Sequence, residues 1–446
     1  MKRYNLAGLF LCGLFLGGNA WAQQQLDRLI DQQIDTLVGT YKSLHQSPEL
    51  SGHEEKTSAL VAKELRMLGY TVTERLGKYK RAGWIGYGVV GVLKNGPGPT
   101  VLVRTDMDAL PVTEKTGLPY ASRVRTKDDA GQEVGVMHAC GHDIHMTSFL
   151  GTARMLVELK DQWHGTLLMV GQPAEETGSG AEALVEDGIY TRFPRPDVAI
   201  ALHDNATLEA GRIGYTPGFA LASSTSVTVT MRGAGGHGSA PETTKDPIVA
   251  AAQVVLALQT IVSRENSPFD PAVVTVGSIQ GGSKNNIIPD EVRLLLTVRT
   301  YKEELRQRIL NSITRIARNT ALAAGIPEKL APTIEVTEYV PATFCDPALT
   351  ERVARVLEKA IGTGNVEKTS PVMGSEDFGN LGLEGNQIPI VFFWLGAVDP
   401  VKAAESKRTG ERLPSLHSSL FAPLPEPTIR TGVKAMTSAV LDLMNR

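Results

Sequence analysis

Cysteine is scarce: the 446 residues include three, at positions 12, 140 and 345. A disulfide-framed fold is thereby excluded. Charge of one sign is not in excess either, with 45 Lys and Arg against 48 Asp and Glu and a net charge of −3. No basic footprint for nucleic acid remains. The 44 glycines and 25 prolines show no triplet period, which excludes a collagen-like chain and implies many turns. With 42% hydrophobic and 21% charged residues the composition is that of a globular chain, and the length implies two or three domains.

Long apolar runs are missing except at the N-terminus. There Met1-Lys2-Arg3 precedes an apolar stretch over 6–18, and Ala20-Trp21-Ala22 fits a small-residue cleavage box. The stretch is shorter than the roughly 20 residues of a membrane span, so residues 1–22 read as a cleaved signal peptide. Cys12 follows Phe10 and Leu11, which does not suit a lipoprotein box. No later segment reads as a span. The expectation is an exported protein, periplasmic or secreted, with no membrane contact after processing, in which Cys140 and Cys345 remain.

Periodicity then divides the chain. Apolar residues recur at helical spacing over 26–47 and 54–68, and strand-like runs cover 88–93, 101–104, 167–170, 198–202 and 390–395. Helical patterns over 145–159 and 181–186 fall between them. Alternating strands and helices predict an α/β catalytic domain of three layers with a largely parallel sheet, over 23–217 and 339–446. Between these parts, strands over 223–231, 273–278, 291–300 and 333–338 and helices over 247–262 and 303–324 give the order β-α-β-β-α-β. That order predicts a ferredoxin-like α+β insert, 218–338.

Several polar clusters bear chemistry. In His138-Ala-Cys140-Gly-His142-Asp143-Ile-His145 a thiol and an imidazole stand two residues apart, a spacing suited to zinc or a similar ion. A chance His-rich helix start with a buried cysteine would read alike. Gln172-Pro173-Ala174-Glu175-Glu176 follows an apolar strand, and its adjacent carboxylates must point apart: one can bind metal while the other holds a water. A solvated acidic loop is the plainer reading. Asp106 and Asp108, His203 and His417 each follow a predicted strand. In an open α/β sheet such ends converge on one crevice, where Cys140, His142, Glu176, His203 and His417 would offer five ligands, enough for two ions.

Other motifs fail their context. Gly86-Tyr-Gly88-Val-Val-Gly91 matches a dinucleotide fingerprint, but leads into a turn at Asn95-Gly96. A Cys140–His142 thiol hydrolase lacks an orienting third group. His45, His53, His145 and His164 read as structural, and His138 as structural with possible support for the metal site. The insert has its own cluster: Gly235 to Pro241 around His237, Asn285-Asn286-Ile-Ile-Pro289, and Arg299. Glycines admit a ligand to the backbone, and Arg and Asn suit a carboxylate; a turn with incidental polar residues remains the alternative.

In this order the motifs resemble the two-metal amidohydrolases and carboxypeptidases that include hippurate hydrolase, N-acyl-amino-acid amidohydrolase and auxin-conjugate hydrolases. The resemblance runs from His45-Gln-Ser-Pro48-Glu49-Leu50-Ser51 through Asp106-Met-Asp108-Ala-Leu-Pro111 and the motifs above to Met373-Gly-Ser-Glu376-Asp377-Phe378 and Leu416-His417. It implies two divalent ions (zinc or manganese, with cobalt or nickel as alternatives) held by Cys140, His142, Glu176, His203 and His417. It also implies Glu175 as general base, His237 as an oxyanion-stabilising lid residue acting in cis or in trans, Asn286 and Arg299 as substrate-carboxylate contacts, and Asp108 as a supporting acid. The insert would be a lid that mediates a homodimer. The implied reaction is hydrolysis of N-acyl-amino acids or short peptides to a carboxylic acid and an amino acid. A dipeptidase or carboxypeptidase on the same scaffold, or an exported non-catalytic binding protein, are the alternatives. Two positions depart from the pattern: Ser418-Ser419 after His417, where relatives often have proline, and Glu242 after Pro241, where His is common. If Cys140 is a ligand, a Cys140–Cys345 bridge is excluded.

Overall fold

The computed structural model describes residues 13–383, 385 and 387–445, with side chains from residue 23 onward. Most of the expected signal peptide therefore lies outside the described residues; the backbone of 13–22 continues the helix Gly13–Gln46. The chain separates into two compact units. The first comprises Met1–Pro217, Cys345–Thr369 and Leu381–Arg446, the second Gly218–Phe344 and Ser370–Asn380.

The first unit is built on an eight-stranded sheet. In spatial order its strands are Thr71–Leu76, Gly88–Asn95, Gly165–Gln172, Thr100–Asp106, Val198–Glu209, Ile390–Val398, Ile213–Tyr215 and Val366–Lys368. From Gly165–Gln172 to Ile390–Val398 four neighbours run parallel, and antiparallel pairs flank them. Parallel strands buried on both faces need near-continuous apolar runs, which is why Val101, Leu102 and Val103 are all fully buried. Helices Gly13–Gln46, His142–Glu158 and Pro425–Met444 pack together over this core through Leu37, Phe149 and Val433. Gly151 permits the close approach, since a Cβ there would stand 2.4 Å from Val433 Cγ2.

The second unit has its own core. Its sheet runs Ala272–Gln280, Glu291–Thr300, Ser223–Arg232, Thr333–Val340, all antiparallel. Helices Pro247–Thr260 and Glu303–Ala323 bury Val254, Leu258, Ile309 and Ile313 on it. Asp246 starts the first of these by accepting the Ile248 and Val249 N–H groups, with Pro247 at its first position. The 19-residue stretch Pro247–Glu265 contains an 18-residue window of mean hydropathy 1.4, long and apolar enough to cross a membrane by length and composition. The reading that no later segment could span is corrected to that extent. In this unit Ala250, Ala251, Val254 and Leu258 of that stretch are buried.

Four sequence readings shift. Residues 339–344 and Ser370–Asn380 group with the second unit, because Val372 bridges Leu221 and Ser375 bonds Arg299. The helix expected from 145 begins at His142, its start set by left-handed Gly141. His203 lies inside Val198–Glu209, not beyond its end, because pairing with Ile390–Val398 carries that strand past Asp204. The helices Pro347–Ile361, Pro400–Thr409 and Pro425–Met444 lie where no helix was expected.

Candidate metal centre

All five expected ligands belong to the first unit, and the fold brings them together. Thr100–Asp106 delivers Asp106 and, two residues on, Asp108. His142 opens the helix His142–Glu158, and Cys140 stands just before it. Gly141 between them has φ +76, and a Cβ there would lie 2.2 Å from Asp204 Oδ2, so only glycine fits the link. Gly165–Gln172 leads through Pro173 and a left-handed Ala174 to Glu175 and Glu176. His417 has φ +66 and donates its backbone N–H to Ala139 O, which ties its loop to the Cys140 segment.

Cys140, His142 and His203 form one triad of donor atoms lying within 4.8 Å of one another; Cys140, Glu176 and His417 form a second. Cys140 belongs to both. Its Sγ lies 3.5 Å from His203 Nε2, and His417 Nε2 lies 3.3 Å from Glu176 Oε2. Glu175 Oε2 and Glu176 Oε1 each stand 3.8 Å from His142 Nε2. Backbone carbonyls fix which ring nitrogen faces the cluster: His142 Nδ1 donates to Asp108 O and His203 Nδ1 to Asp204 O. Both Nε2 lone pairs are left for a cation.

The donor set suits a divalent metal. His142 Nε2 and Glu176 Oε1 are buried without a hydrogen-bond partner, a costly arrangement unless a cation completes it. Burial pushes Glu176 up to about 7 and the Cys140 thiol well above its ordinary value. A bound dication reverses both effects, because it stabilises thiolate and carboxylate directly. Thiolate, imidazole and carboxylate together match zinc and its first-row neighbours. Neither Cys140 nor Cys345 is in a disulfide, and both are buried.

Behind the donors lies a layer that sequence reasoning largely missed. His145, read as structural, donates from Nδ1 to Asp106 Oδ1 at 2.7 Å and meets Asp204 with Nε2. Arg104, wholly buried, bonds Asp106 Oδ2 at 2.8 Å and Gln172 Oε1 at 2.9 Å. Asp108 accepts from Ser51 Oγ and from the Glu176 N–H; burial alone would raise it, yet His142 and these donors hold it below the usual carboxylate range. His45 is clamped between Asp143 Oδ2 and Glu114 Oε1 at 2.6 and 3.2 Å. The usable signal was spacing: Asp106 ends a strand, and His145 stands three residues along the helix from His142. His138 is buried with both ring nitrogens unpartnered, and burial lowers it to about 4.

The remaining expected residues, His237, Asn286 and Arg299, belong to the second unit. His237 is exposed and pairs with Ile287, next to Asn286, in a two-residue ladder. Its Nδ1 accepts the Ser239 N–H at 3.1 Å, which places the ring proton on Nε2. Arg299 is partly buried and bonds Thr297 Oγ1 and Ser375 Oγ, both at 3.0 Å. Among the described residues it has no carboxylate partner.

Known proteins are similar to this chain in sequence and fold. A hippurate hydrolase of Campylobacter jejuni is 38% identical over 79% of this chain and 87% of its own length. Thermostable carboxypeptidase 2 of Saccharolobus solfataricus is 33% identical over 92% of this chain and 96% of its own. The solved structure of a dinuclear metal-binding Bacillus subtilis peptidase of family M20 superposes with a TM-score of 0.72 at 26% identity, over 93% of this chain and 99% of that one. The profile of peptidase family M20/M25/M40 matches residues 102–416. This chain belongs to that family.

Proposed function

We propose that the chain is a two-metal amidohydrolase that cleaves N-acyl-amino acids or short peptides bearing a free carboxylate, releasing a carboxylic acid and an amino acid. The observation that carries this reading is the pair of donor triads sharing Cys140, with the Glu175 carboxylate 3.8 Å from His142 Nε2. Cys140, His142, Glu176, His203 and His417 would hold the ions. When bound, these supply Lewis acidity and lower the pKa of water from about 15.7 toward about 7.

The chain's own residues do the rest. Glu175, mostly buried, takes the proton of the attacking water and returns it to the departing amine. His237, with its proton on Nε2, donates to the oxyanion. Arg299 and Asn286 receive the substrate carboxylate, the guanidinium offering a forked donor. The carboxypeptidase relative extends the acyl side to peptides.

Zinc or manganese is the proposed native ion, with cobalt or nickel as substitutes. Export to the periplasm or medium is supported by Met1-Lys2-Arg3, the apolar 6–18 and Ala20-Trp21-Ala22. A homodimer through the second unit is supported by the exposed Val249 and Leu256 on its helix Pro247–Thr260. The test is a screen of N-acyl-amino acids and dipeptides by amine release, before and after chelation. Turnover should vanish with the metal and return with one of zinc, manganese, cobalt or nickel; turnover that survives complete metal removal would overturn the assignment.

A further inference from the structure

Glu54 stands at the start of the helix Glu55–Met67, where an acidic side chain ordinarily caps the free N–H groups of its own first turn. It makes no such bond. Fully buried, its Oε1 instead accepts two N–H groups from elsewhere, Gly52 at 2.9 Å and Ala174 at 2.8 Å. Both donors are left-handed, with φ +76 and +53. Glycine takes that conformation freely, and Ala174 does so against steric resistance from its Cβ.

Ala174 is held on its other side too. Its carbonyl accepts from the Gly180 N–H and from Thr177 Oγ1, both at 3.1 Å. Gly180 has no alternative there, since a Cβ would lie 1.6 Å from Pro173 O. The next two residues are the proposed base and a proposed ligand. The Glu176 N–H is in turn held by Asp108 Oδ2 at 3.0 Å. Two carboxyl groups from distant segments thus hook the backbone on either side of Glu175.

We propose that Glu54 is a positioning residue: its buried carboxyl group grips the Ala174 N–H, keeps the backbone left-handed there, and so sets where Glu175 stands. The proposal rests on the reading of Glu175 as general base. Burial, reinforced by nearby Asp108, raises Glu54 to about 8. Below that pH it is a neutral acid with one oxygen accepting, a group that glutamine copies and aspartate, one methylene shorter, does not reach far enough to replace.

The test uses the full metal-reconstituted enzyme and the best-turned-over N-acyl-amino acid of the screen. Glu54→Gln should keep kcat within threefold of wild type. Glu54→Asp should lose tenfold or more in kcat, with KM within threefold and metal content unchanged, and Glu54→Ala should behave as Asp does. Full activity in Glu54→Asp, or a Gln variant as impaired as Asp, overturns the proposal. If neither shortened side chain folds, amide exchange decides: protection over 174–178, Ala174 above all, in Glu54→Gln equal to wild type supports the grip, and selective loss there overturns it. Glu175→Gln runs alongside. If it stays active the base assignment fails; if it is dead while Glu54→Asp is fully active, the grip alone fails.

Discussion

The two units carry polar clusters of opposite character. In the first, Cys140, His142 and Asp108 are buried, and most ring nitrogens and carboxylate oxygens behind them already have fixed partners. In the second, His237 is exposed on a two-residue ladder and, among the described residues, Arg299 is braced by two hydroxyl groups. The buried cluster has its geometry set before any ligand arrives, which charge-stabilising chemistry requires because reorganisation would otherwise consume the gain. The second spends its donors on neutral hydroxyl groups and on no carboxylate among the described residues, which suits recognition of an incoming anion.

That contrast yields graded expectations. The largest effect belongs to the buried side: Glu175→Gln should cut kcat by roughly 10²–10⁴-fold while bound metal, read by elemental analysis, is unchanged. Turnover close to wild type would remove Glu175 from the chemistry. Next, Cys140→Ser should weaken metal binding by at least the roughly 10–100-fold typical of a supporting residue, since both triads lose a donor. Full occupancy under competing chelator would show that the shared thiol is dispensable. On the exposed side, Arg299→Ala should raise KM about tenfold or more with a smaller change in kcat, the loss expected of a charge-assisted bond. A pure kcat defect would erase the distinction between the two clusters.

The smallest effect concerns the support beneath the buried cluster. Burial alone would lower the His45 imidazole, but its bonds to Asp143 and Glu114 override this and raise it to about 10. A group held above its unfolded value near 6.5 stabilises fully below that pH and loses its contribution as pH climbs through 10. The melting temperature should therefore fall by roughly 5 °C between pH 7 and pH 10, and the slope should flatten in His45→Gln. An unchanged slope would detach His45 from the clamp.

What the sequence disclosed follows the same division. The central strands were readable because burial on both faces demands unbroken apolar runs, as at 101–104 and 390–395. The edge strands Thr71–Leu76 and Val366–Lys368 were not, being short and partly exposed. Cys140, His142, Glu175, Glu176, His203 and His417 were legible as chemistry because their residue types are rare in such company. The partners that orient them were not: Asp106 with His145, His45 with Glu114 and Glu54 with Ala174 are 39, 69 and 120 residues apart, and no local pattern marks such pairs. The expected strand end at 202 failed for a related reason, because the length of Val198–Glu209 is set by its neighbour and not by its own hydrophobicity.

His417 shows how far a backbone can narrow a choice of chemistry. With φ at +66, position 417 favours glycine, asparagine, aspartate and histidine over most other side chains. Of the residue types that coordinate metals well, cysteine and glutamate fit that torsion poorly, and glycine has nothing to offer. The conformation alone reduces the usable alphabet to two letters, histidine and aspartate, before any cation has been considered.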